Sequence, residues 1–94
     1  MALSSAQTRF FEWLKRDMPY LLPLFDLDSA CYREDAVDRY LGAASHGEAI
    51  MARFALGVWC NNNRFGFDVF EAAGTLDAEQ MTVVTSWMRN PLWP

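Results

Sequence analysis

The stretch Ala49–Trp59 constrains the fold more than any other part of the sequence, because Arg53 is its only charged residue. Ser45 and Glu48 stand just before it at the spacing of a capping box, in which each side chain bonds to the other residue's free backbone N–H at a helix start. This pattern predicts a helix over about 46–60. A helix that is apolar nearly all round is usually buried on most sides. We therefore expect it to lie at the centre, with the other helices packed about it.

Two further helices are predicted before the central one. Ser4 and Gln7 form another capping-box pattern, which indicates a helix over about 5–18 that ends before a proline. The apolar segment Tyr20–Phe25 is interrupted by a second proline, and we interpret it as an extended connection that packs onto the core.

The start of the second helix is left open between residues 30 and 34. Asp28 or Ser29 would cap the earlier start. The helix is expected to run to about Leu41, with Gly42 as its left-handed terminator.

Two helices are also predicted after the central one. Asn61–Asn63 tolerate turn and left-handed conformations, so a loop is expected there. Asp68, with a glutamate three residues later, indicates a short helix that ends at Gly74. Asp77 and Gln80 predict a fifth helix by the capping-box spacing. Its apolar residues fall on one face: Met81, Val84, Trp87 and Met88.

These elements predict an all-α fold class, a compact bundle of four to five short helices around the central helix at about 46–60. The chain has 94 residues, too few for two domains, so 1–94 is expected to be a single helical domain. Its apolar stretches are shorter than the roughly 18–20 residues that span a membrane. The first residues also lack the basic and then apolar pattern of a signal peptide. We therefore expect a cytoplasmic protein with no membrane partner.

The sequence is poor in groups that catalyse reactions or hold cofactors. The one histidine, His46, is expected at the surface in the first turn of the central helix, and Cys60 lies roughly 21 Å further along its axis. Cys31 and Cys60 have no Cys-x-x-Cys partner and are interpreted as reduced thiols. The acidic stretch that begins at Asp26 fails the EF-hand pattern at its fifth, sixth and twelfth positions. We therefore predict no enzyme, catalytic residue, metal site, cofactor or small-molecule substrate.

Charge argues against direct nucleic-acid binding, because the chain has formal charge -4 and one lysine. The segment 67–89, which is predicted as helix, turn and helix, is interpreted as a plain helical hairpin. The segment 19–39 holds five carboxylates against two arginines and includes Asp35 and Asp38. An alternative function is therefore an acidic inhibitor or modulator of a nucleic-acid-acting enzyme. Arg53 is expected to extend its head to solvent or to pair with one of these two aspartates.

Aromatic residues outside the predicted core favour a different function. Helical periodicity does not place Phe11, Phe65, Phe67 or Trp93 in the core, and protein interfaces concentrate aromatic residues at their centres. The leading prediction is a non-enzymatic protein-interaction module, either an adaptor or a self-associating homodimer, that binds through Phe65, Phe67 and Trp93. The opposing interpretation is that the tail folds back and Trp93 closes the core.

The second half of the chain resembles small uncharacterised accessory proteins of proteobacterial plasmids and integrated elements. The resemblance rests on Ala52–Trp59, Phe67–Asp68, Ala72–Ala73, Thr75–Asp77 and Trp87–Pro94. It implies a bacterial cytoplasmic accessory protein encoded on a mobile element, and it implies no catalytic residues.

Overall fold

The computed structural model describes residues 3–94, and most of them are helical. The α-helices are α1 (Ser5–Asp17), α2 (Glu34–Ala43), α3 (His46–Cys60), α4 (Val69–Thr75) and α5 (Ala78–Arg89). A 3-10 helix (Pro19–Leu24) leads into an antiparallel hairpin of β1 (Phe25–Asp26) and β2 (Cys31–Tyr32). The predicted helical class is confirmed in outline, and the hairpin is an addition that the sequence analysis missed. No helix in the described part of the chain is long and apolar enough to cross a bilayer.

The central helix begins and ends where the sequence predicted. The Ser45 hydroxyl accepts a hydrogen bond from the Glu48 backbone N–H (3.3 Å), and the Ser45 backbone N–H donates to the Glu48 carboxylate (2.9 Å). At the other end, Asn61 adopts the left-handed conformation with φ 55°. Eight of the 15 residues of α3 are buried, more than in any other described helix. The other elements therefore pack around α3.

Four aromatic rings join α1, the hairpin and α3. Phe10, Phe11, Phe25 and Trp59 all contact one another, with every pair of ring centroids between 5.1 and 5.8 Å apart. Phe11 is only 2% exposed, so its expected position outside the core is wrong. The reason is that the hairpin covers a second side of α1, which widens the buried face beyond the stripe that helical periodicity predicts.

The segment between α1 and the hairpin is helical and not extended as expected. The rings of Pro19 and Pro23 fix their own φ angles at about -65°, a value that is compatible with both a 3-10 helix and extended backbone. Leu21 and Leu24 are three residues apart and both are buried. A 3-10 helix has about three residues per turn, so it places both leucines on the core side.

The residues predicted to cap the second helix, Asp28 and Ser29, lie in a β-turn instead. The Asp26 carboxylate accepts hydrogen bonds from the backbone N–H groups of Asp28 and Ser29, at 3.0 and 3.4 Å. Ala30 then takes the left-handed conformation with φ 52°, and the chain reverses into β2. Short polar side chains stabilise turns as readily as helix starts. The earlier start, with a cap at Asp28 or Ser29, is therefore wrong.

The later start, at residue 34, is confirmed, with Arg33 in the capping position and no side-chain cap bond. Gly42 lies inside α2 and does not end it. The helix instead ends at Ala43, and Ala44 has extended backbone (φ -70°, ψ 153°). The next helix is capped immediately afterwards, so the connection needs no left-handed residue.

The last two helices begin at the predicted caps. The Asp68 carboxylate accepts two backbone N–H groups in the first turn of α4, at 2.8 and 3.1 Å. Asp77 and Gln80 form the predicted capping box of α5. His46 lies exposed in the first turn of α3, as expected, and its Nε2 is 3.2 Å from the Glu71 carboxylate. This contact joins the surface of α4 to the start of the central helix.

Replacing the cap of the central helix should cost measurable stability. We expect Ser45→Ala to lower the free energy of unfolding by about 1 kcal/mol, because it leaves a backbone N–H at the start of α3 without its partner. Urea unfolding followed by circular dichroism measures the change. Ser86→Ala in α5 is the matched control, since Ser86 is exposed and lies inside a helix, where alanine is favoured. Equal unfolding free energies for the two variants would contradict this role of the cap.

Candidate protein-binding groove

An apolar groove lies between the C-terminal half of α3, the loop after it, α5 and the tail. It encloses about 300 Å³. We define the apolar groove by the residues that line it, which are Phe54, Gly57, Val58, Asn61, Asn62, Asn63, Phe67, Trp87, Met88 and Trp93. Among the described residues, no charged side chain lines it. Its character is aromatic, with amide groups at one end.

A row of aromatic rings connects the core to the open side of this groove. Trp13 of α1 contacts Phe54 at a centroid distance of 5.8 Å, and Phe54 contacts Trp87 at 5.5 Å. Trp87 meets Trp93 nearly edge to face, at 4.9 Å and an interplanar angle of 82°. Trp93 nevertheless remains 48% exposed. The tail therefore folds back, as the opposing interpretation expected, but it leaves Trp93 half open to solvent.

Hydrogen bonds hold both walls of the groove. On one wall, the Phe67 backbone N–H donates to the Asn63 side chain (2.8 Å), and the Asn63 amide donates to the Phe67 carbonyl (3.0 Å). On the other wall, the Trp87 indole Nε1–H donates to the Leu92 carbonyl (3.1 Å). The walls are thus fixed by the chain's own contacts.

The structure brings together two of the three predicted aromatic residues. Phe67 lies against Phe54 with ring centroids 5.3 Å apart, and it shares the groove with Trp93. Phe65 points elsewhere and packs edge to face on Tyr32, at 5.5 Å. Gly66 has φ 75° between the two phenylalanines, which lets the loop turn so that their side chains diverge.

The two predicted acidic residues lie apart from the groove. Asp35 and Asp38 are exposed on α2, and Asp35 shares a shallow depression with Arg33 and Arg39. These arginines lie among the carboxylates and weaken the acidic surface that an inhibitor of a nucleic-acid enzyme needs. That function stays a prediction from the sequence.

Arg53 forms no ion pair with either aspartate. Within residues 3–94 the ion pairs are Arg16 with Asp17 and His46 with Glu71. Arg53 is half-buried on α3. An exposed pair contributes little free energy, so a long side chain that covers apolar surface and keeps its charge in water loses little by having no partner.

The sequence analysis missed the most exposed large apolar side chain in the described part of the chain. Phe70 is 86% exposed, and its neighbour Val69 is 47% exposed. Both lie in the first turn of α4, whose buried residue is Ala72. Positions two apart on a helix face nearly opposite directions, so burying Ala72 turns Phe70 outward. The two-residue spacing of Phe70 and Ala72 could have predicted from the sequence that a helix this short buries only one of the two.

A second depression, of about 270 Å³, is acidic. Its lining includes Asp17, Tyr20, Glu48, Asp77 and Glu79. Glu48 completes the capping box of α3 with Ser45, and Asp77 is the N-cap of α5, so both carboxylates have structural partners. A hydrogen bond from the backbone N–H of Ser45, the N-cap residue, lowers the pKa of Glu48. In residues 3–94 no three His, Cys, Asp or Glu side chains are placed to hold a metal ion.

The comparisons with known proteins give no match, since no family model, curated protein or solved structure is similar to the chain. A functional proposal therefore rests on the apolar groove, its half-exposed tryptophan and the exposed phenylalanine of α4.

Tyr20, which lines the acidic depression, is expected to lose its proton at a higher pH than an ordinary tyrosine. Partial burial, followed by the nearby charges of Tyr40, Glu48, Asp77 and Glu79, raises the pKa of Tyr20 from 10.0 to about 12. A pKa raised by folding contributes stability that is complete below the unfolded value of 10.0 and is lost as pH rises through about 12. We expect Tyr20→Phe to remove the latest tyrosinate absorbance step and to flatten the fall in stability across this range. Tyr32→Phe is the control, and an unchanged late step in Tyr20→Phe would contradict the assignment.

Proposed function

We propose that the protein is a non-enzymatic protein-interaction module, and that the apolar groove takes apolar side chains of a protein partner. The observation that carries this proposal is Trp93, which is 48% exposed and stands edge-on to Trp87 at the mouth of the groove. Tryptophan is enriched among the residues that dominate binding energy in protein interfaces. Met88 lies beside it, is 44% exposed and extends the same apolar surface.

The fixed walls of the groove support binding. The paired hydrogen bonds of Asn63 with Phe67, and the bond from Trp87 to Leu92, hold the aromatic rings before a partner arrives. A surface that is ordered in advance loses less conformational entropy on association. The groove is therefore suited to bind without rearrangement.

The chemistry of the lining supports binding over catalysis. The described lining residues supply aromatic rings, a thioether and the amides of Asn61–Asn63. General acid–base and nucleophilic catalysis use titratable or activated groups. Amides can instead bond to the backbone of a bound segment and set its orientation. With the resemblance noted above, the proposal extends to an accessory protein of the bacterial cytoplasm.

Capture by the groove should depend on Trp93. We expect tagged Trp93→Ser to lose the proteins that the wild type retains from nuclease-treated host lysate supplemented with untagged copies of the chain. An interface tryptophan commonly contributes about 2 kcal/mol or more, which corresponds to roughly 30-fold in affinity. Quantitative mass spectrometry of the retained proteins measures the loss.

Tyr20→Ser is the matched control for this experiment, because Tyr20 is a similarly exposed aromatic residue (43%) that lies outside the groove. It should retain the same proteins as the wild type. Far-ultraviolet circular dichroism checks that both variants keep their helices. Equal capture by Trp93→Ser and the wild type would remove the groove as the binding surface.

A further inference from the structure

An exposed apolar projection lies close to the groove. We define the α4 knob as Val69 and Phe70, which are 47% and 86% exposed. Phe67, which lines the groove, precedes Phe70 by three residues, so their Cα atoms are at most roughly 10 Å apart. The knob does not fill the groove of its own chain, because Phe70 remains open to solvent. One small surface therefore offers both an apolar side chain and an apolar cavity.

The charges beside these two features are opposite in sign. The knob lies between Asp68 and Glu71 in the sequence. The groove has two basic neighbours, since Arg53 and Arg89 each adjoin a lining residue in the sequence, whereas the guanidinium of Arg64 lies over the ring of Phe65, outside the groove. Within residues 3–94 none of these arginines forms an ion pair. A knob that enters a groove would bring carboxylates towards arginines that have no acidic partner.

This complementarity offsets a general obstacle to self-association. The chain has formal charge -4, so two copies repel each other on average. Arg53 and Arg89, two of its eight basic residues, adjoin the groove in the sequence, next to a lining that has no charge of its own. An acidic projection on a second copy would meet local attraction there, whereas approach through the acidic depression would meet carboxylates.

We propose that the occupant of the groove is a second copy of this chain, and that each copy inserts its α4 knob into the groove of the other. The inference rests on the proposed function, because it names the partner of that groove. A two-fold axis between knob and groove lets both insertions form at once, and such an interface closes at two subunits. A foreign partner that filled only the groove would leave Phe70 exposed.

The first test is the mass in solution, measured by light scattering over a concentration series. We expect the wild type to approach twice its 10.8 kDa mass. Phe70→Ser and Trp93→Ser should each weaken the dimer by roughly 30-fold or more, because each removes one side of both contacts. Leu27→Ser, which changes an exposed apolar residue outside the interface, should dimerise as the wild type does. Circular dichroism verifies that the variants are folded, as expected for such exposed positions.

Mixing the two variants tests the knob-and-groove arrangement itself. A Phe70→Ser chain keeps its groove, and a Trp93→Ser chain keeps its knob. The mixture should therefore form heterodimers with one complete contact, bound more tightly than either variant with itself and less tightly than the wild type. A dimer that survives both single substitutions, or a mixture that associates no better than its components, would overturn the arrangement.

The proposed function and this inference can fail separately. A wild type that stays at 10.8 kDa throughout the series overturns the second copy as occupant. If Trp93→Ser still loses a host protein in that case, the groove binds a different partner and the proposed function stands. If its capture is also unchanged, both proposals are wrong.

Discussion

The burial of α3 is the constraint on which the rest of the structure depends. This helix has apolar side chains nearly all round, so water must be excluded from most of its surface. Phe10 and Phe11 of α1 and Phe25 of the hairpin cover the end around Trp59. The 3-10 helix carries the chain from α1 to the hairpin, which explains why a proline-containing segment is buried at its leucines. On the opposite side, α5 and the tail cover α3 incompletely, and the apolar groove is the part that remains open.

The aromatic residues of the row that begins at Trp13 and ends at Trp93 differ in whether they contribute to stability or are available for binding. Trp13 and Phe54 are 5% and 4% exposed and belong to the core, and Phe54 also lines the groove. Trp93, at the other end of the row, contacts Trp87 and is half exposed. The first two therefore contribute chiefly to folding, whereas Trp93 has much of its surface available to a partner. A surface built on a buried aromatic row keeps its shape, because interiors are close-packed and deform little.

The formal net charge of -4 does not show how carboxylates and arginines are distributed over the surface. Several carboxylates act locally: Asp26 closes the hairpin turn, and Asp68 and Asp77 cap α4 and α5. Negative charge is favourable at helix starts, so these residues follow from helix formation and need no ligand to explain them. The arginines are distributed differently: Arg53 and Arg89 each directly adjoin, in the sequence, a residue that lines the uncharged groove.

The starts of α1, α3, α4 and α5 and the burial of the central helix were determined by the sequence alone. A capping box such as Ser45 with Glu48 needs only residues three apart, and the excess of apolar residues in α3 demands burial whatever surrounds it. The hairpin was not predicted because short polar residues such as Asp28 and Ser29 occur in turns as readily as at helix starts, and here their backbone N–H groups bond to Asp26. Only the tertiary structure placed Phe67 with Trp93 and separated Phe65, because these positions depend on packing between segments far apart in the chain. The exposure of Phe70 was decided in the same way, by which face of α4 meets α3.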